Sequence, residues 1–139
     1  MKFDDNLKVY GDTSFRGDCP KEELEQITFF NQLKKLHPDI AELATHVQNE
    51  GVKSKQKAVR DARSGLNQGM ADIIIIGLPP CLIEMKRQDH TKSRWQPNQK
   101  EKLLLAQEVG AFSCVALGYE AAIEAVEDWI KCTQTMKNG

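Results

Sequence analysis

Four consecutive isoleucines, Ile73-Ile74-Ile75-Ile76, restrict the folds open to this chain more than any other feature. β-Branched side chains favour extended backbone. An unbroken apolar run, without polar alternation, is the composition of a strand covered on both faces. Gly77-Leu78-Pro79-Pro80 then turns the chain, and Cys81 to Lys86 forms a second strand, expected to run antiparallel to the first. Phe112 to Leu117 is a third buried strand.

Helical patterns surround these strands. Leu24, Ile27, Phe30, Leu33 and Leu36 recur at helical spacing, with Glu22, Glu23 and Glu25 early and Lys34 and Lys35 late. That charge order complements the helix dipole. Asp18 is a candidate cap for the helix entry, and Pro38 discourages continuation. Residues 39–51 suit a short helix or a strand, half visible near 43–48, leading into an Asn49-Glu50-Gly51 turn. Residues 53–64 fit a short basic helix ended by Gly65, and Gln99 to Val109 a helix ended by Gly110. Tyr119 to Lys131 is the last helix, with Ala122, Ile123, Val126, Trp129 and Ile130 on one face. The whole is an α/β domain, a small mixed sheet flanked by helices. Its span is 21–132, after an irregular or partly mobile arm over 1–20 and before a tail at 133–139.

A chain of 139 residues fits one domain. Cys19, Cys81, Cys114 and Cys132 are scattered, with no Cys-x-x-Cys pair, so they read as reduced thiols rather than disulfides or a zinc site. No apolar run approaches the roughly 18 residues of a membrane span, and Met1-Lys2-Phe3-Asp4-Asp5 does not open a secretory signal. The net charge of −1 does not advertise nucleic acid, but its distribution is uneven. Lys53, Lys55, Lys57, Arg60 and Arg63 cluster against Asp61 alone. Lys86, Arg87, Lys92, Arg94, Lys100 and Lys102 face only Asp89 and Glu101, while Glu120, Glu124, Glu127 and Asp128 gather near the C-terminus. One cationic face of this kind suits a phosphate backbone; solvated helix faces explain any single segment equally well.

Chemistry concentrates where charge interrupts the apolar strands. Asp72 precedes the isoleucines, and Glu84 and Lys86 sit within Leu82-Ile83-Glu84-Met85-Lys86. Burying such groups costs several kcal/mol unless they are paired or bind a metal. Residues two apart on a strand share a face, so Glu84 and Lys86 point the same way. Asp72 joins them only if it lies opposite one of them rather than opposite Met85. A four-residue connection would place it opposite Met85, so a five-residue connection or a bulge is expected. Two carboxylates and a lysine on one face supply hard oxygen ligands for Mg²⁺ or Mn²⁺, with the Met85 carbonyl as a third. On spacing alone, a structural ion pair at a sheet edge fits equally well.

Asp72 followed by Glu84-x-Lys86 resembles the PD-(D/E)XK nuclease pattern. The Gly69-Met70-Ala71-Asp72 lead-in, the Ile83-Glu84-Met85-Lys86-Arg87 strand and a following Gln96-x-x-Gln99 before a helix are similar to the VRR-NUC family (virus-type replication-repair nucleases). Glu22-x-x-Glu25-Gln26, Asn49-Glu50-Gly51 and Gly110 add to the likeness, which spans residues 22–130. Ala71 stands where the motif's name has proline, a backbone preference rather than a chemical participant.

The resemblance implies a restriction-endonuclease-like αβββαβ core and metal-dependent hydrolysis of DNA, with Mg²⁺ the expected cofactor and Mn²⁺ substituting. It further implies branched DNA as partner, four-way (Holliday) junctions above all, a homodimer, and the cytoplasm of a bacterium or phage-infected cell. Asp72, Glu84 and Lys86 would be catalytic, joined by Gln99, with Gln96 as its rival, and by a first-helix acid. Glu22 and Glu25 both compete for that last role, Glu22 being favoured through its match with Gln26. His46 is a candidate base or phosphate contact, although a lone histidine is more often structural. Lys53, Lys55, Lys57, Arg60 and Arg87 are candidate DNA-backbone contacts, and the loop with His90, Lys92, Arg94 and Trp95 could touch DNA, Trp95 by stacking on a base. A flap- or fork-directed nuclease and a non-catalytic DNA-binding module are the rival readings.

Overall fold

A computed structural model describes residues 1–47 and 54–138, with residues 134–138 by backbone alone. In chain order the first elements are β1 (Lys8–Tyr10), α1 (Glu22–Leu36), α2 (Pro38–Ala41), β2 (Ala44–His46) and α3 (Lys55–Arg63). Then come β3 (Ile73–Ile75), β4 (Cys81–Lys86), a 3-10 turn (His90–Lys92), α4 (Gln99–Glu108), β5 (Phe112–Leu117) and α5 (Tyr119–Asn138).

One mixed sheet in the order β1-β5-β4-β3-β2 organises the chain. β1 and β4 flank β5 in parallel, while β3 runs antiparallel to both β4 and β2. The succession α1, β2, β3, β4, α4, β5 is the expected αβββαβ core, and β2 is the strand half visible near 43–48. The isoleucine run is shorter as a strand than its composition suggested: Ile73 and Ile75 are wholly buried, but Ile76 lies beyond it and is exposed.

Alternation along the strands divides the sheet into two unequal faces. Ile73, Ile75, Ile83, Met85 and Cys114 point toward α1 and α5, where Phe29, Leu33, Ala122, Val126 and Trp129 complete the larger core. Leu82, Val115 and Leu117 point to the other face, beneath Leu103 of α4 and Leu7 of the N-terminal segment. Glu84 and Lys86 share the parity of Leu82, so they enter the structure on the smaller α4 side.

Four expectations need correction. Residues 1–20 are irregular as expected except at Lys8–Tyr10, which add a parallel edge strand beside β5 and, with the buried Leu7, join the segment to the domain. α5 continues through the expected C-terminal tail to Asn138. On α1 the buried stripe is Glu25, Phe29 and Leu33, whereas Leu24, Ile27 and Leu36 are exposed. Glu25 repays its burial by accepting from Gln88 Nε2 (3.0 Å) and from the Tyr119 amide (2.5 Å), one of the first amides of α5 that no turn of helix can satisfy. Asp18 does not cap α1; Lys21 occupies that position without a side-chain bond. The Asn49-Glu50-Gly51 turn lies outside the described residues.

The β3–β4 connection is held from the larger core. Trp129 Nε1 donates to the Pro79 carbonyl at 2.7 Å, and a Cβ on Gly77 would come within 2.5 Å of the Trp129 ring. Such an approach allows no side chain without displacement of the indole or the turn. Gly77→Ala is therefore expected to cost about 1–3 kcal/mol through overpacking, read as a lowered urea midpoint. A midpoint equal to that of the wild type would show that the turn is not fixed by this contact.

Candidate active site

The parity requirement on Asp72 is met by the five-residue form of the connection. β3 and β4 pair Ile75 with Cys81, Ile74 with Leu82 and Ile73 with Ile83, leaving residues 76–80 between them. One step further in the same register sets Asp72 opposite Glu84. Backbone pairing stops at Ile73, and the Asp72 side chain continues it: Asp72 Oδ2 accepts from the Met85 amide at 3.0 Å. The Asp72 carbonyl accepts from the Val47 amide at 2.7 Å, which ties this corner to the end of β2.

Glu84 and Lys86 are almost completely buried, at 1% and 2% exposure, in a strand where every residue is buried. Their charged atoms meet at 3.8 Å. Gln99, at the first turn of α4, lies between them: its Nε2 donates to Glu84 Oε1 at 3.1 Å, and its Oε1 accepts from Lys86 Nζ at 3.1 Å. The Gln96 amide donates to the same Oε1 at 2.8 Å, and Lys86 Nζ also donates to the Arg94 carbonyl at 2.9 Å. Gln99 thus bridges Glu84 and Lys86, and Gln96 joins the network through its backbone amide.

These groups line a cleft of about 590 Å³ together with Glu22, Gln68, Gly69, Lys92, Ser93 and Pro97. The Gly69 corner closes one wall. Its φ is +83°, and a Cβ there would lie 2.8 Å from the Asn98 backbone, so the lead-in to Asp72 passes against the entry to α4 as glycine alone permits. Of the two competing acids, Glu22 lines the cleft, held by a 2.6 Å hydrogen bond from Ser93 Oγ, while Glu25 is spent on α5. Ser93 Oγ accepts in turn from the Arg87 amide at 3.0 Å, which links the first helix to the end of β4. Nothing in the sequence marked Ser93; a serine in a polar loop carries no periodicity, and its role depends on a contact between distant segments.

Burial drives the Glu84 carboxyl well above its ordinary pKa, helped by the hydrogen bond and negative charge of Asp72 and by Glu22, and opposed by Lys86. One oxygen, Glu84 Oε2, is buried and accepts no hydrogen bond, so the contact between the Glu84 and Asp72 carboxyls is a hydrogen bond only while one of the two carries a proton. An orphaned carboxylate oxygen beside a second carboxylate is what a divalent cation would satisfy. The Met85 amide faces the β3 side, and in an extended strand the carbonyl of the same residue points the same way, past the end of β3. Among the described residues no three His, Cys, Asp or Glu side chains converge to cage an ion. Two carboxylates, a carbonyl and water suit Mg²⁺, which retains several waters, better than a fully protein-ligated site.

The remaining expected residues are placed differently. His46 is exposed on β2, its Nδ1 3.2 Å from the Asp72 carbonyl. Arg87 donates to the Pro20 and Cys19 carbonyls, so its guanidinium secures the N-terminal segment rather than standing free for DNA. Trp95 is no free stacking platform: Nε1 donates to the Lys2 carbonyl, Phe3 packs edge-on against the ring, and Lys86 Nζ lies 5.7 Å from its centroid. His90 is buried, its Nε2 3.1 Å from the Thr13 carbonyl. α3 carries Lys55, Lys57 and Arg60 and buries none of its residues, with Ser54 Oγ capping it by accepting from the Lys57 amide. Lys53 lies outside the described residues.

Without a bound cation, Glu84 resists ionisation, so its folded-state pKa exceeds the unfolded one. Its contribution to stability is then complete below the unfolded carboxylate pKa and is lost as pH rises toward the raised value. Glu84→Gln imitates the protonated form. In EDTA its melting temperature is expected to gain on the wild type as pH is raised from about 5 to about 9. Parallel melting curves for the two proteins across that range would contradict the assignment.

No protein-family model matches the sequence, and no curated protein matches it. Among solved structures, the chain is similar to one described as a VRR_NUC domain protein, at 23% identity and a TM-score of 0.66, over 84% of this chain and 92% of that one. The αβββαβ core that the resemblance implied is therefore the one observed: this chain has the fold of a VRR_NUC domain.

Proposed function

We propose that the chain is a divalent-metal-dependent deoxyribonuclease of the VRR-NUC family. It would hydrolyse phosphodiester bonds in branched DNA, with four-way junctions favoured, Mg²⁺ as the ion and Mn²⁺ able to replace it. The observation that carries this reading is Glu84: a fully buried carboxylate with one oxygen unpartnered, set against Asp72 and beside a buried lysine. Once ionised, that oxygen has no donor to accept from and faces a second carboxylate, a repulsion that Lys86 alone opposes and that a divalent cation between the two would relieve.

The residues divide the chemistry among themselves. Asp72, Glu84 and the Met85 carbonyl would hold the ion, whose chemistry is to acidify a bound water and neutralise charge on the scissile phosphate. Lys86 is restrained by Gln99 and by the Arg94 carbonyl, so its remaining N–H can orient the attacking water or offset charge building on the phosphate. Gln99 holds Glu84 and Lys86 in a fixed relation, and Glu22 adds a third carboxylate to the cleft. Lys55, Lys57 and Arg60 on the exposed α3 are the proposed contacts to DNA phosphates.

A four-way junction is two-fold symmetric, and a two-fold dimer would bring matched sites to it. α4 leaves Leu105 and Val109 exposed beside an apolar groove of about 360 Å³, a surface suited to a second copy. Among the described residues no helix is long and apolar enough to cross a membrane.

Labelled four-way junction, flap and linear duplex DNA, incubated with Mg²⁺, Mn²⁺ or EDTA, test the proposal. Symmetric metal-dependent cuts near the crossover are expected, with Lys86→Ala reducing the rate on the order of 10²-fold or more. Cutting of flaps but not junctions would retain the nuclease and move its substrate. Binding without cleavage under any metal would leave a DNA-binding module.

A further inference from the structure

The cleft that holds Asp72 and Glu84 has three cationic side chains in its lining, Lys86, Lys92 and Arg94. Two of them are committed. Lys86 Nζ is shared among Glu84, Gln99 and the Arg94 carbonyl, and Lys92 Nζ donates to the Gly17 carbonyl at 2.8 Å with Asp18 4.0 Å away. Arg94 has no side-chain partner among the described residues. Its backbone is the opposite of free, because its carbonyl anchors Lys86 and its neighbour Ser93 bridges Glu22 and Arg87. A guanidinium with no partner among the described residues therefore stands on a main chain fixed to the reacting groups.

We infer that Arg94 is the phosphate-gripping residue of the cleft, engaging a backbone phosphate of the bound strand next to the one hydrolysed. The inference rests on the nuclease reading, which supplies the strand. Three carboxylates line the same cleft, so an incoming polyanion meets repulsion until a cation offsets it. Lys86, already shared between protein acceptors, cannot offer its full charge to a second phosphate. Arginine suits the task because its planar fork holds two phosphate oxygens at once and never loses its charge. The two residues then separate in role: Lys86 acts on the reacting phosphate, and Arg94 fixes the strand's position along the cleft.

Binding and cleavage distinguish these roles. Equilibrium binding of a short duplex would be measured in EDTA across a salt series, for the wild type, Arg94→Ala, Arg94→Lys and Lys86→Ala. Arg94→Ala is expected to weaken binding roughly tenfold at low salt and to reduce the slope of log K against log [salt] by about one. Arg94→Lys should keep the slope while recovering only part of the affinity. Lys86→Ala should slow cleavage in Mg²⁺ on the order of 10²-fold or more and keep the methylphosphonate sensitivity that Arg94→Ala loses. A scan with single neutral methylphosphonates then locates the contact: the wild type loses affinity at one position next to the cut, and Arg94→Ala does not. If Arg94→Ala is as sensitive as the wild type at every position, with an unchanged salt slope, the inference is overturned while cleavage by the wild type still stands. If the wild type cuts nothing, the nuclease reading falls, and the methylphosphonate scan still reports whether Arg94 holds a phosphate.

Discussion

The opposition of Asp72 and Glu84 across β3 and β4 is the constraint on which the rest of the site depends. A strand repeats every two residues, so one residue more or less in the connection would send Asp72 to the face of Met85 and break the pair. The chain secures the parity with a five-residue turn locked by Trp129, a residue of the opposite core. Packing on the α5 side of the sheet thereby decides chemistry on the α4 side. This is one reason why a site with few direct ligands needs a whole domain around it.

The interior of the site is unfavourable by construction. Glu84 is buried against another carboxylate, and Lys86, its compensating charge 3.8 Å away, is hydrogen-bonded to two other acceptors. Gln99 neutralises neither group; it lies between them, hydrogen-bonded to both. Such an arrangement is stable as a scaffold and incomplete as an electrostatic unit, which is the state expected of a site that acquires a cation and a phosphate together. The N-terminal segment extends the same network. Trp95, held by the Lys2 carbonyl, roofs Lys86, and Arg87 holds the chain at Cys19 and Pro20.

Much of this was legible in the residues alone. Asp72, Glu84 and Lys86 stood out because charge within apolar strands is costly, and alternation fixed which of them share a face. Gln99 was visible through its match with the family's glutamine, its place at the start of a helix being ordinary by itself. The edge strand Lys8–Tyr10 was not, since three residues just before Gly11 are too few to show a period, and its stability comes from pairing with β5. The first helix misled for a related reason. Leu24, Ile27 and Leu36 trace a plausible apolar stripe, but the sheet is met by Glu25, Phe29 and Leu33, and Glu25 belongs there only because α5 brings an unsatisfied amide to it. The uses of Arg87 and Trp95 were hidden likewise, because their partners are backbone carbonyls far away in sequence.

The account stands most directly on whether Asp72 and Glu84 form a cation site. Calorimetric titration of the DNA-free protein with Mn²⁺ addresses this without any assumption about substrate. The account predicts saturable binding in the wild type that disappears in Asp72→Asn, with the variant's fold intact by circular dichroism. Binding unaffected by that substitution, or no binding by the folded wild type, would contradict it.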